Sequence, residues 1–230
     1  MKRLIFLGAA ALILSACAKP ASNTSGTPDT ISASASAKAP SIAGIPAGDY
    51  VSDPAHSSVT FEVSHMGFSH YTAHFATFAT KLALDPAHPE TARVTATIDP
   101  KSLVLNTPPK GFHDELMGKM FFDAATYPAI TFASTKVTMT GPNTADVTGD
   151  LILRGVTKPV VLYATFNGGY AGFEMDPHAR IGFSLTGKLK RSDFDMSFGI
   201  PPANSTMGVF DDVDFQIESE LTGPAWHKPK

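Results

Sequence analysis

The 230-residue chain has one cysteine and one tryptophan, and only 17% of its residues are charged. A single thiol forms no intramolecular disulfide and no cysteine-rich metal site, so the fold must stand on its core. A formal net charge of −3 offers no basic surface of the kind nucleic acid demands, so no nucleic-acid partner is expected. The nucleophile elbow G-x-S-x-G is missing, and Gly149 to Lys158 lacks the phosphate-cradling spacing G-x-x-x-x-G-K-[ST]. Asp53, His56 and Ser57 are triad residue types, but five consecutive positions make poor triad geometry. The chain reads as a non-enzyme.

What is present begins with an address. Lys2 and Arg3 precede an apolar run of 11 residues from Leu4 to Leu14. That is short of the about 20 residues a membrane-spanning helix needs, and it fits a secretory signal over 1–16. The run ends in Leu14-Ser15-Ala16-Cys17, which resembles the bacterial lipobox. The sole cysteine, Cys17, thus stands where lipidation would occur. Cleavage there removes Lys2 and Arg3 and takes the formal charge from −3 to −5. Ala18, rather than Asp, follows the cysteine and favours sorting to the outer membrane over the inner.

Residues 17–45 are expected to be the lipidated cysteine and a flexible tether. Between 18 and 44, 21 of 27 residues are Ala, Ser, Thr, Pro or Gly, and no apolar period appears. Such a segment buries too little surface to offset chain entropy. As a coil it reaches roughly 25–30 Å.

Residues 46–224 read as one all-β domain, with 225–230 a short tail. Val59, Phe61 and Val63 alternate with Thr60, Glu62 and Ser64, a half-buried strand pattern. The same period predicts strands over 57–65, 71–84, 92–98, 129–139, 145–154, 158–167, 178–190 and 211–222. Turns are expected at Asp53-Pro54, Asp99-Pro100, Gly141-Pro142-Asn143 and Gly168-Gly169. One helical segment is expected, Phe112 to Met117 after Pro108-Pro109. No crossover-length helix follows a strand, so a parallel sheet is not expected. Eight antiparallel strands form a sandwich or a barrel. Gly149, Gly182 and Gly187 within strand patterns supply the bends of a barrel, whose closure removes sheet edges. The 16 phenylalanines could fill such a barrel or line a cavity inside it.

The sequence resembles the YceI family. The opening Asp53-Pro54-Ala55-His56-Ser57 followed by Val59, Phe61, Val63, His65, Gly67 and Ser69 carries the likeness. It continues through Phe121-Phe122-Asp123, Tyr127-Pro128-Ala129-Ile130-Thr131-Phe132, the stretch Gly149 to Val160, Gly182-Phe183 and Lys190-Arg191-Ser192-Asp193-Phe194. The resemblance implies an eight-stranded antiparallel lipocalin-like β-barrel with one short helical segment. It also implies a long isoprenoid-type lipid, a polyprenyl phosphate or a quinone, as the bound partner, with no other cofactor required. The family often carries Arg-Asp-x-His-Leu where this chain has Phe112-His113-Asp114-Glu115-Leu116.

If the barrel holds a ligand, its candidate contacts are Val59, Phe61, Val63, His65, Phe75, Phe78, Leu116, Phe121, Phe122, Ile130, Phe132, Leu151, Phe183 and Phe194. Lys101, Lys110, Lys119 and Arg191 are candidate cations at a mouth. His65, His70 and His74 invite a metal reading, but His70 and His74 on a strand stand roughly 13 Å apart, and no metal site is expected. Leu116, Met117, Met120, Phe121 and Phe122 form either a fixed cap or a movable lid. The expected function is a lipid-anchored protein on the periplasmic side of the envelope that sequesters or carries the lipid. The competing reading is a structural or stress-protective barrel filled by its own side chains. A homodimer through barrel edges is open to either.

Overall fold

The alternating segments close into a ring. In a computed structural model, residues 40–228 are described. The signal segment, Cys17 and nearly all of the tether lie outside them. The strands are β1 (Gly48–Ser52), β2 (Ser58–His65), β3 (Ser69–Phe75), β4 (Phe78–Leu84), β5 (Arg93–Ile98) and β6 (Leu103–Val104). After the helix α1 (Phe112–Met117) come β7 (Ile130–Met139), β8 (Thr144–Leu153), β9 (Val156–Tyr170), β10 (His178–Lys190) and β11 (Val209–Ala225).

These segments make eight staves. β11 carries both β1, at Val51 opposite Thr222, and β2, at Val59 opposite Ile217. β4 pairs with β1 while β3 pairs with β2, and β5 pairs with β4 while β6 pairs with β3. The first three staves are therefore single strands, each broken by a bend. β5, β7, β8, β9, β10 and β11 pair in chain order, all antiparallel. Closure occurs where β11 meets the first stave. The fold is an antiparallel up-and-down barrel, the architecture that leaves no long open edge.

Each bend has a local cause. At the first, Asp53 Oδ1 accepts the Ala55 N–H at 2.9 Å, and Pro54 has no N–H to give a ladder. At the third, Asp99 Oδ1 accepts the Lys101 N–H at 2.9 Å beside Pro100. The second bend, at Ala76 and Thr77, leans on the third: both N–H groups donate to Ser102, through its carbonyl and its hydroxyl, at 3.0 Å each.

Two of the strand glycines admit a ring where no Cβ would fit. Phe215, opposite Gly187, lies over it, and Phe132 lies over Gly149. Gly168 and Gly169 do not form a turn as expected. β9 runs through them to Tyr170, and the register slips by one residue between Gly182 and Phe183. Gly168 takes φ 132°, a conformation open to glycine, so Asn167 and Gly168 make a bulge, Gly169 pairs in register with Ile181, and the chain turns after Tyr170 instead.

The two barrel ends differ. One carries the first and last described residues and is packed by Ile45, Tyr50, Leu82, Leu84, Phe166, Ile181 and Leu221. The other carries α1 and the long β10–β11 connection, and is packed by Phe75, Leu103, Ile130, Leu153, Phe194 and Met196. Between them the interior is not filled.

Candidate functional site

A cavity of about 740 Å³ runs inside the barrel. It extends from Ile42 and Asn143 near the terminal end to Phe112, Leu116 and Phe198 at the helix end. Its wall follows from the period of two: Val59, Phe61 and Val63 on β2, Leu82 and Leu84 on β4, and Phe215, Ile217 and Leu221 on β11 all point inward. The volume lies within the about 300–1,000 Å³ of typical ligand pockets. A barrel filled by its own side chains is therefore not what this sequence builds.

Most sequence-nominated contacts face this space. Val59, Phe61, Val63, His65, Phe75, Leu116, Phe121, Phe122, Ile130, Phe132, Leu151 and Phe183 line it. His65 does so at an exposed position on the rim of the helix end. Phe78 and Phe194 do not line it. Phe78 opens β4 just beyond a bend and packs half-buried into the helix-end cluster. Phe194 sits off the strands, in the turn Arg191–Phe194, and is buried in the same cluster. Sequence reasoning passed over Thr80, Phe166, Phe215 and Ser219, which also line the cavity. The signal that reveals them is the same alternation on β4, β9 and β11.

The helix end is narrowed by aromatic contact. Phe75 meets Phe61 with ring centroids 5.6 Å apart and Phe122 edge-on at 6.0 Å. Phe121 meets Phe198 edge-on at 5.7 Å, which joins the α1 segment to the β10–β11 connection. Arg154, in the β8–β9 turn, reinforces that join by donating to the Lys119 carbonyl at 2.5 Å and to the Asp195 carbonyl.

The candidate cations separate sharply. Lys101, Lys110 and Lys119 are exposed, and none lines the cavity. Arg191 lines it and is 7% exposed. Its guanidinium donates to the carbonyls of Phe210 at 3.0 Å, Met196 at 2.6 Å, Phe198 at 2.8 Å and Val209 at 2.7 Å. It clamps the two limbs of the β10–β11 connection. Burial pulls its pKa down from the ordinary arginine value, with Asp211 acting against that.

Residues 50–221 match the model of the YceI-like domain. The chain belongs to the YceI-like family. The UPF0312 protein of Pseudomonas savastanoi pv. phaseolicola is 38% identical over 172 residues, covering 74% of this chain and 86% of that one. The crystal structure of Burkholderia cenocepacia BcnA aligns with a TM-score of 0.63 at 28% identity, covering 74% of this chain and 98% of its own. A polyisoprenoid binding domain from Saccharophagus degradans implicated in plant cell wall breakdown aligns with a TM-score of 0.56. It is 15% identical, with 78% of this chain and 100% of that one covered, and speaks for the fold.

The YceI-like opening motif has a structural role on the outer wall. Asp53 Oδ2 pairs with His56 Nδ1 and with Arg180 Nη1, both at 3.0 Å. Arg180 also reaches Asp176 at 2.5 Å and Glu220 at 3.2 Å. The His56 hydrogen bond, then that of the Ala55 N–H, lowers the Asp53 pKa to about 2, and Asp53 in turn raises that of His56. Ser57 is not the third member of a triad, because its hydroxyl donates to the Glu220 carbonyl at 3.1 Å. Among the described residues, Asp53, His56 and Glu220 are the one group close enough to share a metal ion, and Arg180 Nη1 already pairs with both of its carboxylates. His70 and His74 stand exposed, away from the cavity that His65 lines.

Proposed function

We propose that this YceI-like protein binds a long isoprenoid-type lipid in its barrel cavity, for sequestration or transport. The observation that carries the reading is the continuous apolar cavity of about 740 Å³. A polyprenyl tail exposes large apolar area in water, and its burial is worth about 25 cal/mol per Å². A preformed tunnel captures it with little directional bonding. The polyisoprenoid binding domain with the same fold supports the choice of ligand class.

The lipid enters at the helix end. Phe68, Met120, Phe198 and Met207 stand exposed there, on the β2–β3 turn, the segment after α1 and the β10–β11 connection. Exposed apolar residues around the mouth of an apolar cavity suit exchange with a hydrophobic phase, and methionine repacks readily around different shapes. The protein is held to the envelope on the periplasmic side by lipidated Cys17, with the outer membrane the preferred site. Multiple acyl chains at the cysteine would make that attachment stable.

Fractionation of cells producing the full chain tests the anchor. The wild type is expected with outer-membrane markers and Cys17→Ser in the soluble fraction. An unchanged distribution would overturn the lipoprotein reading. Organic extraction of gently purified protein tests the ligand. A chemically altered product, in place of a retained lipid, would point to an enzyme.

A further inference from the structure

We propose that the bound lipid carries a neutral hydrogen-bonding group, a hydroxyl or carbonyl, that Ser219 receives inside the barrel, and that the cavity disfavours a phosphate head. This rests on the reading of the cavity as a lipid site.

Ser219 is 6% exposed and lines the cavity. It lies on the inner face of β11 between Ile217 and Leu221, with Phe183 as its partner on β10. Its hydroxyl oxygen is buried and has no hydrogen-bond partner. A buried hydroxyl left unpaired is a destabilising feature, and native proteins keep few of them. With Ile217, Leu221 and Phe183 as its neighbours on the wall, a ligand oxygen is the partner that this group lacks.

The charges exclude the alternative head. Among the described residues, the basic side chains that line the cavity are Arg191 and His65. Arg191 is committed to four backbone carbonyls, and His65 stands on the exposed rim. Glu115, also on the lining, adds a negative charge near α1. A phosphate drawn to the depth of Ser219 would lose its water and meet no free counter-charge, which is far costlier than burying a neutral group. A hydroxyl or carbonyl there would gain a hydrogen bond at small desolvation cost.

Three probes with one C20 tail separate these cases: geranylgeraniol, geranylgeranyl diphosphate and the headless C20 tetraene. Each displaces the neutral fluorophore N-phenyl-1-naphthylamine from the purified full-length protein. The alcohol is expected to bind about tenfold tighter than the hydrocarbon, one neutral hydrogen bond's worth, and tighter than the diphosphate. Ser219→Ala should erase the gap between alcohol and hydrocarbon, with thermal unfolding at or above the wild-type midpoint because an unpaired hydroxyl has been removed. An alcohol preference that survives in Ser219→Ala, or a diphosphate that binds the wild type as tightly as the alcohol, would overturn the inference alone. Failure of all three probes to bind folded wild type would overturn the lipid-binding reading beneath it.

Discussion

Phe122 stands edge-on to Phe75, with ring centroids 6.0 Å apart and planes at 83°. One ring comes from the segment after α1 and the other from β3, so this contact fastens the cap to the barrel wall at the cavity. Phe122→Asp would place a carboxylate on an apolar lining, and the folded variant is expected to lose its bound lipid. Phe122→Leu should keep most of it. Phe122→Ala should cost about 1–3 kcal/mol in urea unfolding, less than a fully buried phenylalanine because the ring is half-buried. Wild-type lipid retention in a folded Phe122→Asp would remove this residue from the binding surface.

Arg191 holds the other half of the cap. Arg191→Lys keeps the charge but cannot reproduce a planar fork to four carbonyls, and Arg191→Ala strands those carbonyls in a buried site. The alanine variant should lose about 3 kcal/mol and roughly 6–12 °C in Tm. The lysine variant should fall between it and wild type. Equal Tm values for all three would contradict the clamp.

The outer network sets a pH window. The native Asp53 pKa is lowered to about 2 from 3.8, so its contribution to stability is present above 3.8 and fades as pH falls towards 2. The native His56 pKa is raised above 6.5, so its contribution is full below 6.5 and is lost as pH climbs through the raised value. The two overlap between about pH 4 and 6.5. Tm measured across pH 2 to 8 should show that plateau in the wild type. Asp53→Asn should flatten both edges, since it removes the carboxylate and the partner of His56 together. A profile unchanged by the substitution would show that the pair does not stabilise the fold.

Gly187 and Gly149 are sites where a side chain would compete with a ring. Gly187→Val should push Phe215 from its seat and destabilise by about 1–3 kcal/mol, as overpacking does. Because Phe215 lines the cavity, the same variant should bind lipid more weakly. Far-ultraviolet circular dichroism with a binding titration would separate the two effects.

The barrel was largely legible in the sequence because its signal is local. Alternation over Val59, Phe61 and Val63, or over Val213, Phe215 and Ile217, needs no partner to be read. The helix Phe112–Met117 was legible for the same reason, with two prolines before it. Four features were not. β1 and β6 are short and owe their strand form to neighbours, β11 and β4 for the first and β3 for the second. The Gly168-Gly169 pair carries a turn signal, and only its pairing to β10 keeps it in the strand beside a bulge at Asn167. Arg191 read as a free cation near a mouth, since nothing local reveals that its guanidinium folds back onto four carbonyls. Whether inward phenylalanines meet in the middle or leave a tunnel depends on barrel radius, which no single strand encodes.

The proposed occupant of this tunnel is a lipid. Native mass spectrometry of the protein purified without organic solvent, followed by extraction and identification of what is released, tests it most directly. The expected result is a folded species heavier than the polypeptide with its lipid modification by the mass of one apolar molecule, with an isoprenoid chain recovered in the extract. A homogeneous species with no added mass, which also fails to take up an isoprenoid supplied in detergent, would contradict it.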